Sequence, residues 1–188
     1  YEGKGGVELN SFLRRLIYSI KFMDINILIS GEIAPDSRIQ YRRTVPERFS
    51  TVTPFLLRDG EAYPVVADGR LFWIQDAYTF PRRYPYATPF ENRFNYIRNS
   101  VKAVVDAYHG TVDYYVTDPS DPMIQTYQAI FPGLFKPMED MPDYLKGHLR
   151  YPLDLFTIQS QMLLQYHMED TTVFYNKEDQ WSIPVQSS

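Results

Sequence analysis

Tyr63-Pro-Val-Val-Ala-Asp-Gly-Arg-Leu-Phe-Trp-Ile-Gln-Asp-Ala-Tyr-Thr79 is the stretch on which the fold class turns. Two apolar runs, 63–67 and 70–79, flank Asp68-Gly69. A type I′ turn needs positive φ at both central residues, and Asp-Gly supplies it at little steric cost. The stretch therefore reads as a β-hairpin. Val65, Phe72 and Ile74 fall on one face and Val66, Leu71 and Trp73 on the other, so cover is expected on both faces.

A second hairpin lies downstream, 101–108 paired with 111–117, turning at His109-Gly110. Parity limits its register. Val101, Ala103 and Val105 share a face with Val112, Tyr114 and Val116 only if the loop holds an even number of residues. Either His-Gly or Ala-Tyr-His-Gly satisfies this. A three-residue loop would set Asp113 beside Val105 on the core face, where an unpaired carboxylate is costly. Lys102, Asp106, Asp113 and Thr117 occupy the other face, which is expected to meet water. The two hairpins are expected to join as one antiparallel sheet.

Helical patterns lie on both sides of the hairpins. Leu9, Phe12, Leu13, Leu16, Ile17 and Ile20 recur at three- and four-residue steps, with Asn10 or Ser11 as cap. This stripe is expected to pack on the sheet, although Arg14, Arg15 and Lys21 would also suit a helix lying on a bilayer. Asp36–Arg43 is a weaker helix candidate. Thr44 caps another helix, with Pro46 and Glu47 in its first turn. After the sheet, Asp121 caps a helix with Pro122 at its first position. Asp140–Leu149 reads as a short helix, Pro152 opens the longest one, and a helical turn spans Asp170–Asn176. The fold class is α+β: an antiparallel sheet built from two β-hairpins, flanked by N-terminal and C-terminal amphipathic helices. Residues 1–188 read as a single soluble domain, with the glycine-rich 1–6 as a flexible linker.

Composition removes several function classes. The net charge of −4 leaves no basic excess for a phosphate backbone, so nucleic acid is not expected as a partner. The absence of cysteine rules out disulfides, thiolate metal sites and cysteine nucleophiles. No apolar run is long enough to span a bilayer, since Arg14, Arg15, Lys21 and Asp24 interrupt the best one. The chain begins with Tyr and reads as an excerpt of something longer. Neither a nucleophile elbow nor a phosphate loop is present.

Two places could still bind something. Residues 80–99, broken by Pro81, Pro85 and Pro89, mix Arg82, Arg83 and Arg93 with tyrosines and phenylalanines; such a loop can grip a small anionic ligand or simply pack its rings. Around the second turn, Asp106, His109 and Asp113 come together. Two like charges there call for a positive neighbour: a cation, Lys102, or an arginine of the preceding loop. The bland reading is a solvated face, and no metal ligand set or cofactor is assigned. Asp118-Pro-Ser-Asp121-Pro looks like a cation site but is better explained as a turn followed by a helix cap.

Asn99-Ser-Val-Lys-Ala-Val-Val-Asp-Ala-Tyr-His-Gly-Thr-Val, the Asp-Pro-Ser-Asp-Pro that follows, Phe131-Pro-Gly-Leu-Phe-Lys-Pro, Leu149-Arg-Tyr-Pro, Tyr166-His-Met and Phe174-Tyr-Asn-Lys-Glu-Asp resemble a bacterial uncharacterised protein family. The resemblance covers nearly the whole chain. It implies large multi-pass membrane proteins with a big extracytoplasmic region, of which this chain would be part. The partners implied are the remainder of its own membrane-embedded chain and other envelope proteins. The resemblance carries over no catalytic residue. The function expected is non-catalytic: an extracytoplasmic binding, assembly or sensing domain of an integral membrane protein. The competing expectation is a metal-assisted hydrolase using acids near the second hairpin.

Overall fold

A computed structural model describes residues 3–184 of the chain. Along it run β1 (Val7–Glu8), α1 (Phe12–Phe22), α2 (Asn26–Ile29), β2 (Arg38–Ile39), α3 (Val45–Val52), β3 (Leu57–Arg58), β4 (Tyr63–Ala67), β5 (Arg70–Thr79), β6 (Arg98–Asp106), β7 (Val112–Val116), α4 (Pro122–Ile130), β8 (Phe135–Pro137), α5 (Asp143–Lys146), α6 (Leu153–Tyr166) and α7 (Thr171–Asn176).

The main sheet runs β3-β5-β6-β7-β8, with β4 also paired to β5. Both expected hairpins form. Asp68 and Gly69 adopt φ of 49° and 68°, the two positive values that a type I′ turn requires. The hairpins join through antiparallel pairing of β5 with β6, Ile74 opposite Val104 and Gln75 opposite Ala103. Val101 pairs with Val116 and Val105 with Val112. That register continues to Asp106 opposite Thr111, so the turn is the four-residue Ala-Tyr-His-Gly alternative. Gly110 sits at φ 70° with its carbonyl accepting from Arg48 of α3, and a Cβ there would collide with that guanidinium. Strand β8 joins parallel to β7, a pairing outside the two-hairpin expectation.

The sheet has two cores. On one side Ala77, Val101, Ala103, Tyr114 and Val116 meet Phe49 of α3, Leu56 and Ile124 of α4. On the other side Val65, Phe72, Ile74, Val104 and Tyr115 meet Met141 and Leu145. Each fully buried aliphatic or aromatic side chain contributes about 1.5–3 kcal/mol.

This arrangement corrects two expectations. The first hairpin is not covered on both faces at its tip: Val66 is 72% exposed and Leu71 42%. Conversely, the second hairpin's polar face does not all meet water. Lys102 and Asp106 are buried, because residues 138–149 fold over that face. The cover comes from sequence more than thirty residues downstream, so strand patterning alone carried no sign of it.

Most helices appear where caps placed them. Ser11 accepts from Arg14 N, Thr44 from Glu47 N, and Asp121 from Met123 N. Asp36–Arg43 is not helical; it contains β2, which pairs with β1. The expected helix over 140–149 splits at Pro142 into a 3-10 turn (Met138–Asp140) and α5, since proline lacks the N–H to continue. Residues 1–2 of the expected linker lie outside the described residues. Within 3–6, Lys4 N–H donates to His109 Nδ1 and Lys4 O accepts from Arg38.

The largest departure is α1. No residue of α1 or α2 belongs to either core cluster. The buried residue of α1 is Ser19, while Phe12, Leu13, Ile17 and Ile20 are exposed. Apart from buried Leu9 and half-buried Leu16, the stripe expected to pack on the sheet faces outward.

Candidate functional site

The acids around the second turn are occupied by their own chain. Asp106 accepts from the backbone N–H of Tyr108 and His109 and pairs with Arg70. It thereby closes the four-residue loop as a local cap. Asp113 pairs with Lys136 of β8 at 2.7 Å, and that carboxylate raises the Lys136 pKa. His109 lies edge-on to Tyr108 and receives Lys4 N–H. Neither positive partner is one that the sequence suggested. Arg70 comes from the first hairpin's turn and Lys136 from the parallel strand. Among the described residues, no group of three His, Cys, Asp or Glu side chains is placed to hold a metal ion.

Lys102 is committed elsewhere, in a buried ion pair with Asp76 directly across β5–β6. Asn99 also donates to Asp76, and Lys102 reaches Arg150 O at 3.2 Å. Burial raises the Asp76 carboxyl pKa against the opposing pull of Lys102 and Asn99. Removing one member would strand the other in a low dielectric, so this pair constrains how β5, β6 and the 150 region assemble.

A second polar junction ties α6 to the sheet. Buried Asp59 accepts from Tyr78 OH and from Asp154 N–H at the start of α6. In return, Asp154 accepts from Gly60 N–H at 2.9 Å. A carboxylate from the β3–β4 connection thus caps a helix nearly a hundred residues later, where the local residue, Pro152, has no side-chain acceptor. Burial and the neighbouring Asp59 charge raise the Asp154 pKa, and burial with the Asp59 bond raises that of Tyr78.

Beside this junction lies a cavity of about 190 Å³, bounded by Arg58, Tyr78, Arg93, Phe94, Asp154 and Gln161 among others. It is smaller than the roughly 300 Å³ at which ordinary ligand pockets begin. Of the three arginines singled out in the 80–99 loop, only Arg93 reaches it; Arg82 and Arg83 stand exposed on the outside. The loop's rings pack mainly on one another, Tyr84 on Tyr96 at 4.7 Å and Phe90 on Phe94 at 5.7 Å. Arg58, Tyr78, Asp154 and Gln161 were not identified from sequence. They come from β3, β5 and α6, and no local spacing links them.

An extended apolar surface is exposed at α1 and α2. Phe12, Leu13, Ile17, Ile20, Met23, Ile25 and Ile29 are all exposed, Met23 at 96%. The opposite side of α1 is fastened down. Arg15 donates to Leu9 O and Ile33 O, Ser19 to Asp24 O, and Tyr18 and Phe22 pack with Tyr41. Lys21 Nζ sits 4.0 Å over the Tyr41 ring. A further apolar surface runs along α6, where Leu153, Phe156, Met162 and Leu163 are exposed. Among the described residues, no helix is long and apolar enough to cross a membrane.

A family model described as "Uncharacterised protein family (UPF0182)" matches residues 1–188, and the chain belongs to that family. It is 56% identical to a UPF0182 protein of Moorella thermoacetica over 183 residues, covering 97% of this chain and 20% of that protein. It is 53% identical to one of Sulfurovum sp. over 193 residues, covering 100% and 21%. A Synechococcus sp. relative is 53% identical over 187 residues, covering 99% and 22%. The chain thus spans about a fifth of the length of the curated relatives it matches. No solved structure matches.

Proposed function

We propose that this chain is a non-catalytic docking module of a larger integral membrane protein, standing on the extracytoplasmic side and serving assembly or binding. The observation that carries the reading is the outward-facing apolar surface of α1 and α2 on a domain that already has two well-filled cores. A stripe of large apolar side chains this dense is normally covered. The polar groups that first suggested chemistry, Asp106 and Asp113, are engaged in ion pairs that hold the fold. The fraction of the relatives' length covered supports a module within a longer polypeptide, and the family resemblance supports the membrane context.

Two measurements test this. In the longer protein, with any cysteine outside this segment replaced, Ser50→Cys on exposed α3 should react with a membrane-impermeant maleimide on intact cells; the segment itself contributes no cysteine. Labelling only after lysis would remove the extracytoplasmic placement. Separately, zinc or manganese should leave the melting temperature unchanged. An ion-dependent rise that Asp106→Ala abolishes would favour the hydrolase over the docking reading, because a ligand selective for the folded state stabilises it.

A further inference from the structure

We propose that the outward face of α1 and α2 lies in the interfacial layer of a bilayer containing anionic lipid, with α1 parallel to the membrane surface. This rests on the docking reading above and names what the surface docks to.

At roughly 100° per residue, Phe12, Leu13, Leu16, Ile17 and Ile20 fill an arc of about 140° on α1. Arg15, Tyr18, Ser19 and Phe22 fill the opposing side. That opposing side is the one bonded through Arg15 to Leu9 O and Ile33 O and packed through Tyr18 and Phe22 on Tyr41. The helix therefore cannot roll to bury its apolar arc without breaking those anchors. Met23, Ile25 and Ile29 continue the exposed apolar surface through the turn into α2.

Charge selects the occupant. The chain carries −4 overall, yet α1 holds Arg14, Arg15 and Lys21 and no acid. Arg14 and Lys21 fall at the Ile17 edge of the apolar arc. Arg14 donates to Glu8 O and Lys21 lies over the Tyr41 ring, and from these exposed positions their long aliphatic stems can follow the apolar layer while the cations turn to lipid phosphates. Tyr18 and Tyr41 pack beside them, amphipathic rings of the kind that suit the headgroup level. A second copy of this chain on the same face would bring the Arg14 and Lys21 cations of both copies together, which repels. At about 1.5 Å per residue, α1 is far shorter than the roughly 30 Å hydrocarbon layer, so it lies on the bilayer rather than across it.

The test uses single-cysteine variants of the 188-residue chain, which needs no cysteine removal. Ile17→Cys and Ser50→Cys each carry an NBD fluorophore, and circular dichroism checks that both remain folded. With vesicles of equimolar phosphatidylglycerol and phosphatidylcholine, the Ile17 probe is expected to brighten and shift to the blue, and the Ser50 probe to stay unchanged. Pure phosphatidylcholine should give a weaker response, and added salt should reduce the anionic-vesicle response. In vesicle flotation, Ile17→Gln with Ile20→Gln, and separately Arg14→Gln with Lys21→Gln, should weaken partitioning about tenfold or more. An Ile17 probe that ignores anionic vesicles overturns the proposal. If it is instead shielded without lipid, in a sedimenting dimer or within the longer protein in detergent, a protein surface is the occupant and only the docking reading stands. If it stays open to soluble quencher in every one of these settings, the docking reading falls as well.

Discussion

Helices α1 and α4 are both short, both opened by a side-chain cap, and both striped with apolar residues, yet they use those stripes in opposite ways. Ile124 of α4 is fully buried against Ala77, Val101 and Tyr114 of the sheet, and Tyr127 of α4 packs on Phe55 at 4.5 Å. Ile17 and Ile20 of α1 face outward, and what holds α1 to residues 33–41 is polar and aromatic. Their caps differ in the same sense. Asp121 is buried and also accepts from Thr79 and Ser100 of the sheet, whereas Ser11 is exposed and serves only its own helix. An amphipathic stripe shows that a helix will seek cover. It does not show that the cover belongs to the same domain.

Four measurements can break or sharpen that contrast. The largest effect is expected from Ile124→Ala, which should cost about 2–5 kcal/mol in denaturant unfolding, by lost burial plus a cavity. A cost no greater than that of a surface change would mean that α4 is not part of the core. Next is Asp121→Ala, expected to cost about 2–3 kcal/mol, because it removes a cap and takes the shared acceptor from the buried Thr79 and Ser100 hydroxyls. The matching change at α1, Ser11→Ala, should cost only about 0.5–1 kcal/mol. Smallest is Ile17→Ala, within about 0.5 kcal/mol of the parent chain in the absence of lipid. A cost resembling that of Ile124→Ala would show that α1 buries its stripe within the domain after all.

The approach to α4 also predicts a pH response. Hydrogen bonds from Ser120, then the Arg98 charge, hold the Asp118 carboxyl below its ordinary pKa. A depressed folded-state pKa contributes stability that is complete above the ordinary value of about 4 and is lost as pH falls toward the folded value. Asp118→Asn should flatten the acid limb of the stability profile and leave the region above neutrality unchanged in slope.

Local chemistry made a good part of the fold legible. Asp68-Gly69 places one turn, parity around His109-Gly110 restricts the other to an even loop, and Thr44-Val-Pro-Glu and Asp121-Pro mark helix starts. Each depends on residues within a few positions of one another. The candidate site was harder to read. Asp106 and Asp113 did need positive partners, as their shared face implied, but Arg70 and Lys136 arrive through the β5–β6 pairing and the parallel β8. The cavity that Arg93 reaches needs Arg58, Tyr78 and Asp154 as well, brought together only when Asp59 caps α6.

By itself, then, the sequence determined the hairpins, their turns, most helix starts and the existence of an apolar stripe on α1, because these follow from backbone sterics and short-range hydrogen bonding. Only the tertiary structure decided which faces are covered, which charges pair, and that the α1 stripe points away from the sheet. Those outcomes depend on which distant segment fits a surface and fills it. Residues 138–149 claim the polar face of the second hairpin, α3 and α4 claim the opposite face, and Arg15, Tyr18 and Phe22 fasten α1 with its apolar side outward.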